Sequence, residues 1–164
     1  MSPLWRDEVG AFIGPRQVVL TRMRRGLRPQ CVAEWGTTIE QPNLTDWSAA
    51  LAALDTELAK GQWQDASLRV AIADRWARYR IVPWTAELRS ETERLDHARF
   101  IMANTYGTLV EQWTLGVSED FPGSARIVSA LPTQLLEELR ARVPAHNLRL
   151  ISVQPQLIAA YNAW

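Results

Sequence analysis

A single cysteine, Cys31, occurs among the 164 residues, so no disulfide can close within the chain and nothing points to an oxidising compartment. In its apolar stretch that lone thiol is expected to fill core. Net charge is missing too: eighteen Lys and Arg balance eighteen Asp and Glu. No overall field draws the chain onto a phosphate backbone, which argues against nucleic acid as a partner. No apolar run approaches the roughly 18 residues of a membrane span. Residues 1–14 include Arg6, Asp7 and Glu8 and lack the apolar core of a signal peptide. The expected address is the cytoplasm. Spaced cysteines and paired histidines are absent; His97 and His146 stand far apart and read as surface side chains, so no metal is expected. Neither a Gly-x-x-x-x-Gly-Lys-Ser/Thr loop nor a Gly-x-Gly-x-x-Gly fingerprint occurs.

What is present is an ordinary globular composition, 47% apolar and 22% charged, with eight tryptophans. The length suits one domain, or two small lobes sharing a core. Tryptophan is too large and too amphipathic to hide completely in a small core, so some of the eight are expected at a surface that meets something. The basic cluster Arg22, Arg24, Arg25 and Arg28 falls where a strand ends in a Gly26 turn and reads as a solvated hairpin tip.

Residues 9–13, 17–23 and 30–39 read as three strands separated by Gly14-Pro15 and a second turn, an antiparallel meander. Asn43 or Thr45 then offers an N-cap, and Leu44, Trp47, Leu51, Leu54 and Leu58 mark a helix that Gly61 can stop in a left-handed conformation. Residues 68–72 and 76–82 read as two strands joined by a tight turn at Asp74-Arg75. A long helix follows, capped by Thr85 and ending at Gly107, then a period-two strand over 109–117 and another over 125–130. Pro132 fits the first turn of a helix that Pro144 ends. A strand over 148–153 and a helix opened by Pro155 complete the pattern. The mixture indicates an α/β, or α+β mixed, fold with a partly antiparallel sheet.

This order, with Val9-Gly10-Ala11-Phe12-Ile13-Gly14 at its start, resembles the first half of the actin-like assembly proteins of type IV pili and type II secretion, the PilM/GspL type. The likeness continues in Leu68-Arg69-Val70-Ala71-Ile72-Ala73, in 125–132 and in 148–155. It implies the first half of an actin-like, RNase H-like fold: a three-stranded antiparallel meander plus helix, with an inserted small α/β subdomain. The implied divisions are a main subdomain over 1–84, an insert over 85–147, and a returning strand and helix over 148–164. A second lobe that would complete a nucleotide cleft has no counterpart in the sequence.

The family pattern puts an aspartate in the first hairpin where this chain has Phe12, between Gly10 and Gly14. A phenyl ring cannot serve magnesium, and phosphoryl transfer depends on such positioned charge, so no catalytic residue and no cofactor is expected. The two glycines are better explained by tight turns than by phosphate approach. An RNase H-like nuclease is disfavoured because the first three strands hold only Glu8 and Glu34 as carboxylates. The resemblance implies instead a non-enzymatic scaffold at the cytoplasmic face of the bacterial inner membrane. Its partner would be an inner-membrane protein whose short cytoplasmic segment lies in a groove of aromatic and arginine side chains. The candidate lining is Trp76, Arg78, Tyr79, Arg80, Trp84, Arg99 and Tyr106. An apolar stripe on the last helix, Leu157, Ile158, Tyr161 and Trp164, is expected to self-associate. The alternative is a degenerate nucleotide- or small-molecule-binding regulatory domain without turnover.

Overall fold

The computed structural model describes residues 6–26, 28–40, 44–88, 90–118 and 123–162. Along the chain these form β1 (Glu8–Ile13), β2 (Gln17–Arg24), β3 (Gln30–Thr38), α1 (Ser48–Leu58), β4 (Ser67–Ile72) and β5 (Arg78–Val82). There follow α2 (Glu91–Tyr106), β6 (Trp113–Val117), β7 (Arg126–Pro132), α3 (Thr133–Arg142), β8 (Arg149–Pro155) and α4 (Gln156–Tyr161). The fold is mixed α/β, and the chain divides into two units: Met1–Trp76 with Leu135–Trp164, and Ala77–Gln134.

The main unit is built on a five-stranded sheet of order β3-β2-β1-β4-β8. β1, β2 and β3 form the expected antiparallel meander, while β4 and β8 join parallel to β1. Successive strand residues point to opposite faces, so register sorts them. Ala11 lies level with Leu20 and Val70, and Ile13 with Val18 and Ile72; with Val9 and Leu68 these make one buried apolar face. The Leu51, Leu54 and Leu58 stripe of α1 is wholly buried, as are Leu135 and Leu139 of α3. The opposite face carries Gly10 and Phe12, level with Thr21 and Val19 on β2 and with Arg69 and Ala71 on β4.

The N-cap position of α1 is Trp47, which makes no side-chain cap bond. Asn43 lies outside the described residues, and it is Asp46 that accepts hydrogen bonds from the Ser48 backbone N–H and hydroxyl, both at 2.9 Å. The backbone bond foremost, then the hydroxyl, holds the Asp46 carboxyl below its ordinary pKa. Gly61 adopts φ 81° beyond the helix, as its position suggested. Cys31 is exposed, not core: β3 is an edge strand, and at Cys31 it has passed the register shift between Arg22 and Met23. Arg22, expected to be solvated, is tied down by Asp7 at 2.9 Å and by the Gln62 and Gln64 carbonyls.

The smaller unit is an antiparallel sheet of order β5-β7-β6 with α2 packed on β6 and β5. Val82, Val128 and Ala130 from the sheet, Ala98 and Met102 from α2, and Val110 form its buried core. The insert therefore differs from the expected 85–147. β5 belongs to it because β5 pairs with β7, and α3 does not, because Leu135, Leu136 and Leu139 fall in the main unit. For the same reason β4 and β5 are not a hairpin: Asp74–Trp76 is a 3-10 turn, and the strands on either side of it enter different sheets. α2 begins at Ser90, not at Thr85. Ser90 Oγ accepts from the Glu93 N–H while a Glu93 carboxylate oxygen accepts from the Ser90 N–H, a reciprocal capping box. Pro132 ends β7 instead of opening α3, and Gly107–Gln112 is a 3-10 turn, so β6 starts only at Trp113.

Candidate functional site

Gly10 and Phe12 lie within β1, the central strand of the main sheet, and Gly14 follows it at the turn into β2. A Cβ on Gly14 would lie 3.0 Å from the Phe12 ring and 3.3 Å from Ala73, and one on Gly10 would lie 3.1 Å from Thr21 Oγ1. Close side-chain packing thus accounts for both glycines without a ligand. Gly10, Phe12, Val19, Arg69, Ala71 and Gln154 border an open hollow of about 670 Å³ that reaches Ala159 and Asn162 at α4. Arg69, which turns toward it, pairs with Glu8 at 2.9 Å. Among the described residues no three metal-ligating side chains converge. His146, read as a surface residue, is partly buried, with Nε2 3.4 Å from Asp55, which also receives Arg142 Nε at 2.9 Å.

The seven residues expected to line a partner groove are not brought together. Trp76 is only 5% exposed; its indole N–H donates to the Leu44 carbonyl at 3.0 Å, and its ring meets Trp47 edge-on at 6.3 Å. It is core of the main unit. Tyr106 packs edge-on against Trp113 at 5.2 Å and lies against the core of the smaller unit. The remaining five divide. Arg78 and Arg80 lie level with Ala130 and Val128, on the face that α2 covers, whereas Tyr79 lies level with Ser129 on the other face. Arg78, Arg80, Trp84 and Arg99 are exposed, and Ile81, which the sequence did not single out, is 71% exposed. β5 is an edge strand of its sheet, and Arg78, Arg80 and Ile81 lie on it.

On α4, Leu157 and Tyr161 are exposed, Ile158 is buried, and Trp164 lies outside the described residues. Ile158 therefore drops out of the apolar stripe, because the helix turns it inward. Among the described residues no helix is long and apolar enough to cross a membrane.

The smaller unit holds a cleft that sequence reasoning missed. Arg94 and His97 of α2, Val117 at the end of β6 and Arg126 at the start of β7 border it, beside Trp84. A signal was available: Arg126 occupies an inward position of an alternating strand, where an apolar residue would be ordinary.

No protein-family model and no curated protein matches the chain. Solved structures do. The cytoplasmic domain of EpsL, an inner-membrane component of the type II secretion system of Vibrio cholerae, superposes with a TM-score of 0.64 at 11% identity, covering 93% of this chain and 58% of that one. The fold is actin-like. A Bacteroides thetaiotaomicron protein with an actin-like ATPase fold and unknown function gives 0.62 at 12% identity, covering 99% of this chain and 59% of its own. The PilM–PilN type IV pilus biogenesis complex gives 0.63 at 18%, covering 94% and 49%. The chain thus spans about half to three fifths of the actin-like chains it matches.

Proposed function

We propose that the chain is a non-enzymatic scaffold of a type IV pilus or secretion machine, holding a short cytoplasmic segment of an inner-membrane partner at the cytoplasmic face of that membrane. The observation that carries this reading is β5. It is an edge strand with Arg80 and the 71% exposed Ile81 on its two faces, followed by the 39% exposed Trp84. An extended segment can add to such an edge through main-chain hydrogen bonds while alternate side chains give specificity. Aromatic and arginine side chains are the types that dominate recognition hot spots. The fold likeness to an inner-membrane component of type II secretion and to the PilM–PilN complex supports the choice of machine. Phe12, where the family resemblance expects a carboxylate, supports binding without turnover. Leu157 and Tyr161 on α4 support a second contact, with another copy of the chain.

The test is fluorescence anisotropy with labelled peptides copying the cytoplasmic termini of the machine's inner-membrane proteins. One of them is expected to bind, and Arg80→Glu to weaken it about tenfold. The fold should be intact by circular dichroism, since exposed substitutions usually change stability by about half a kcal/mol. Undiminished binding by folded Arg80→Glu would remove β5 as the site.

A further inference from the structure

The cleft of the smaller unit lies where the first turns of α2 cross the ends of β5 and β6 and the start of β7. It has two adjoining hollows that share Arg94, Val117 and Arg126. The larger, about 340 Å³, runs between Glu91 and Leu95 on the helix and Leu115 and Ser118 on the strand side. The narrower, about 20 Å³, has room for roughly one water and is walled by Val82, Trp84, Leu88 and His97.

Arg126 is the anomaly in it. By register it lies level with Val82, on the sheet face that α2 covers, beside the apolar core. Its Nε is shielded from solvent and has no hydrogen-bond partner among the described residues. A buried donor without a partner forfeits its hydration, more so when it is part of a cation, and native structures rarely keep one without a reason. Guanidinium is also the side chain whose planar fork matches a carboxylate or phosphate. Arg94 and His97 stand around the same space, and Glu91 at its rim is the one carboxylate among the described lining residues. Among the described lining residues the two arginines outnumber the one carboxylate, and Leu95, Leu115 and Val117 supply an apolar side to the larger hollow. Convergent polar groups beside an apolar wall, in a hollow of a few hundred Å³, fit a small-ligand site.

We propose that this cleft binds a small oxyanion, carboxylate or phosphate, carried on an apolar group. The oxyanion sits against the Arg126 guanidinium in the larger hollow, and the apolar group lies along Leu95, Leu115 and Val117. The site is separate from the β5 edge in its deciding residue, so it stands or falls independently of partner binding.

The experiment is an NMR titration of the whole ¹⁵N-labelled chain with benzoate, phenyl phosphate and the neutral benzamide. Benzoate or phenyl phosphate should shift the amide signals of His97, Val117 and Arg126 saturably, and the stronger of the two identifies the headgroup. Benzamide should leave them in place. Arg126→Gln should weaken the anion about tenfold or more, and Arg126→Lys, which keeps the charge but loses the fork, should weaken it severalfold. The lysine variant also covers the case in which Arg126→Gln does not fold. The proposal fails if neither anion shifts these signals, if benzamide shifts them equally, or if a folded Arg126 variant binds as the parent does.

Discussion

Glu57 is 1% exposed and still ionised, which sets a requirement on its neighbours. Burial alone would raise its pKa. The bonds from Lys60 at 2.6 Å, the Trp63 indole N–H at 3.2 Å and the Gln62 amide at 3.0 Å outweigh that and hold the carboxyl below the ordinary glutamate value. Because the folded-state pKa is depressed, the ionised group's contribution is fully present above the unfolded-state value and is lost as pH falls through the folded one. Stability to urea should therefore decline on acidification below about pH 4.5 more steeply in the parent than in Glu57→Gln. Glu57→Ala, which leaves the buried Trp63 N–H without its acceptor, should cost about 1 to 3 kcal/mol at neutral pH. At this scale the sequence was only partly readable. Phe12 could be identified as a departure from the family's aspartate, but Gly10, read with Gly14 as a turn residue, lies inside β1 against Thr21. Trp76 and Trp84, eight positions apart, carry no local mark that one is core and the other exposed.

Among the elements, α2 shows what local rules reach. Its N-terminus is written in Ser90-Glu91-Thr92-Glu93, a capping-box pattern that outweighs Thr85, whose hydroxyl accepts only a 3.4 Å bond from the Glu87 N–H. Ser90→Ala should destabilise the protein by about 1 kcal/mol, whereas Thr85→Ala should change little; thermal melts of the two variants compare them directly. β1 to β4 were legible because alternation and turn residues agree there. β5 was legible as a strand but not as a member of another sheet. Its partner β7 lies more than forty residues away, and pairing is decided by that distant register, not by the short link at Asp74–Trp76. The alternation over 109–117 likewise ran into the end of a 3-10 helix, since the residues of that helix within the run are too few to reveal its period.

For the whole molecule, the fold was readable from element order: the actin-like structures superpose over 93 to 99% of the chain. The candidate binding surface was less so: residues close in sequence are distributed over two sheet faces and two units. Exposed Leu157 and Tyr161 lead to a prediction at this scale. Light scattering should show concentration-dependent dimers, and Leu157→Glu with Tyr161→Glu should abolish them; a strict monomer at high concentration rejects self-association. The central claim, that β5 receives a partner's short segment, is tested most directly by ¹⁹F NMR of the chain labelled with 5-fluorotryptophan. On adding the inner-membrane partner's cytoplasmic peptide, the Trp84 resonance should shift saturably while those of the buried Trp63 and Trp76 stay in place. A bound peptide that leaves the Trp84 resonance unmoved would contradict the account.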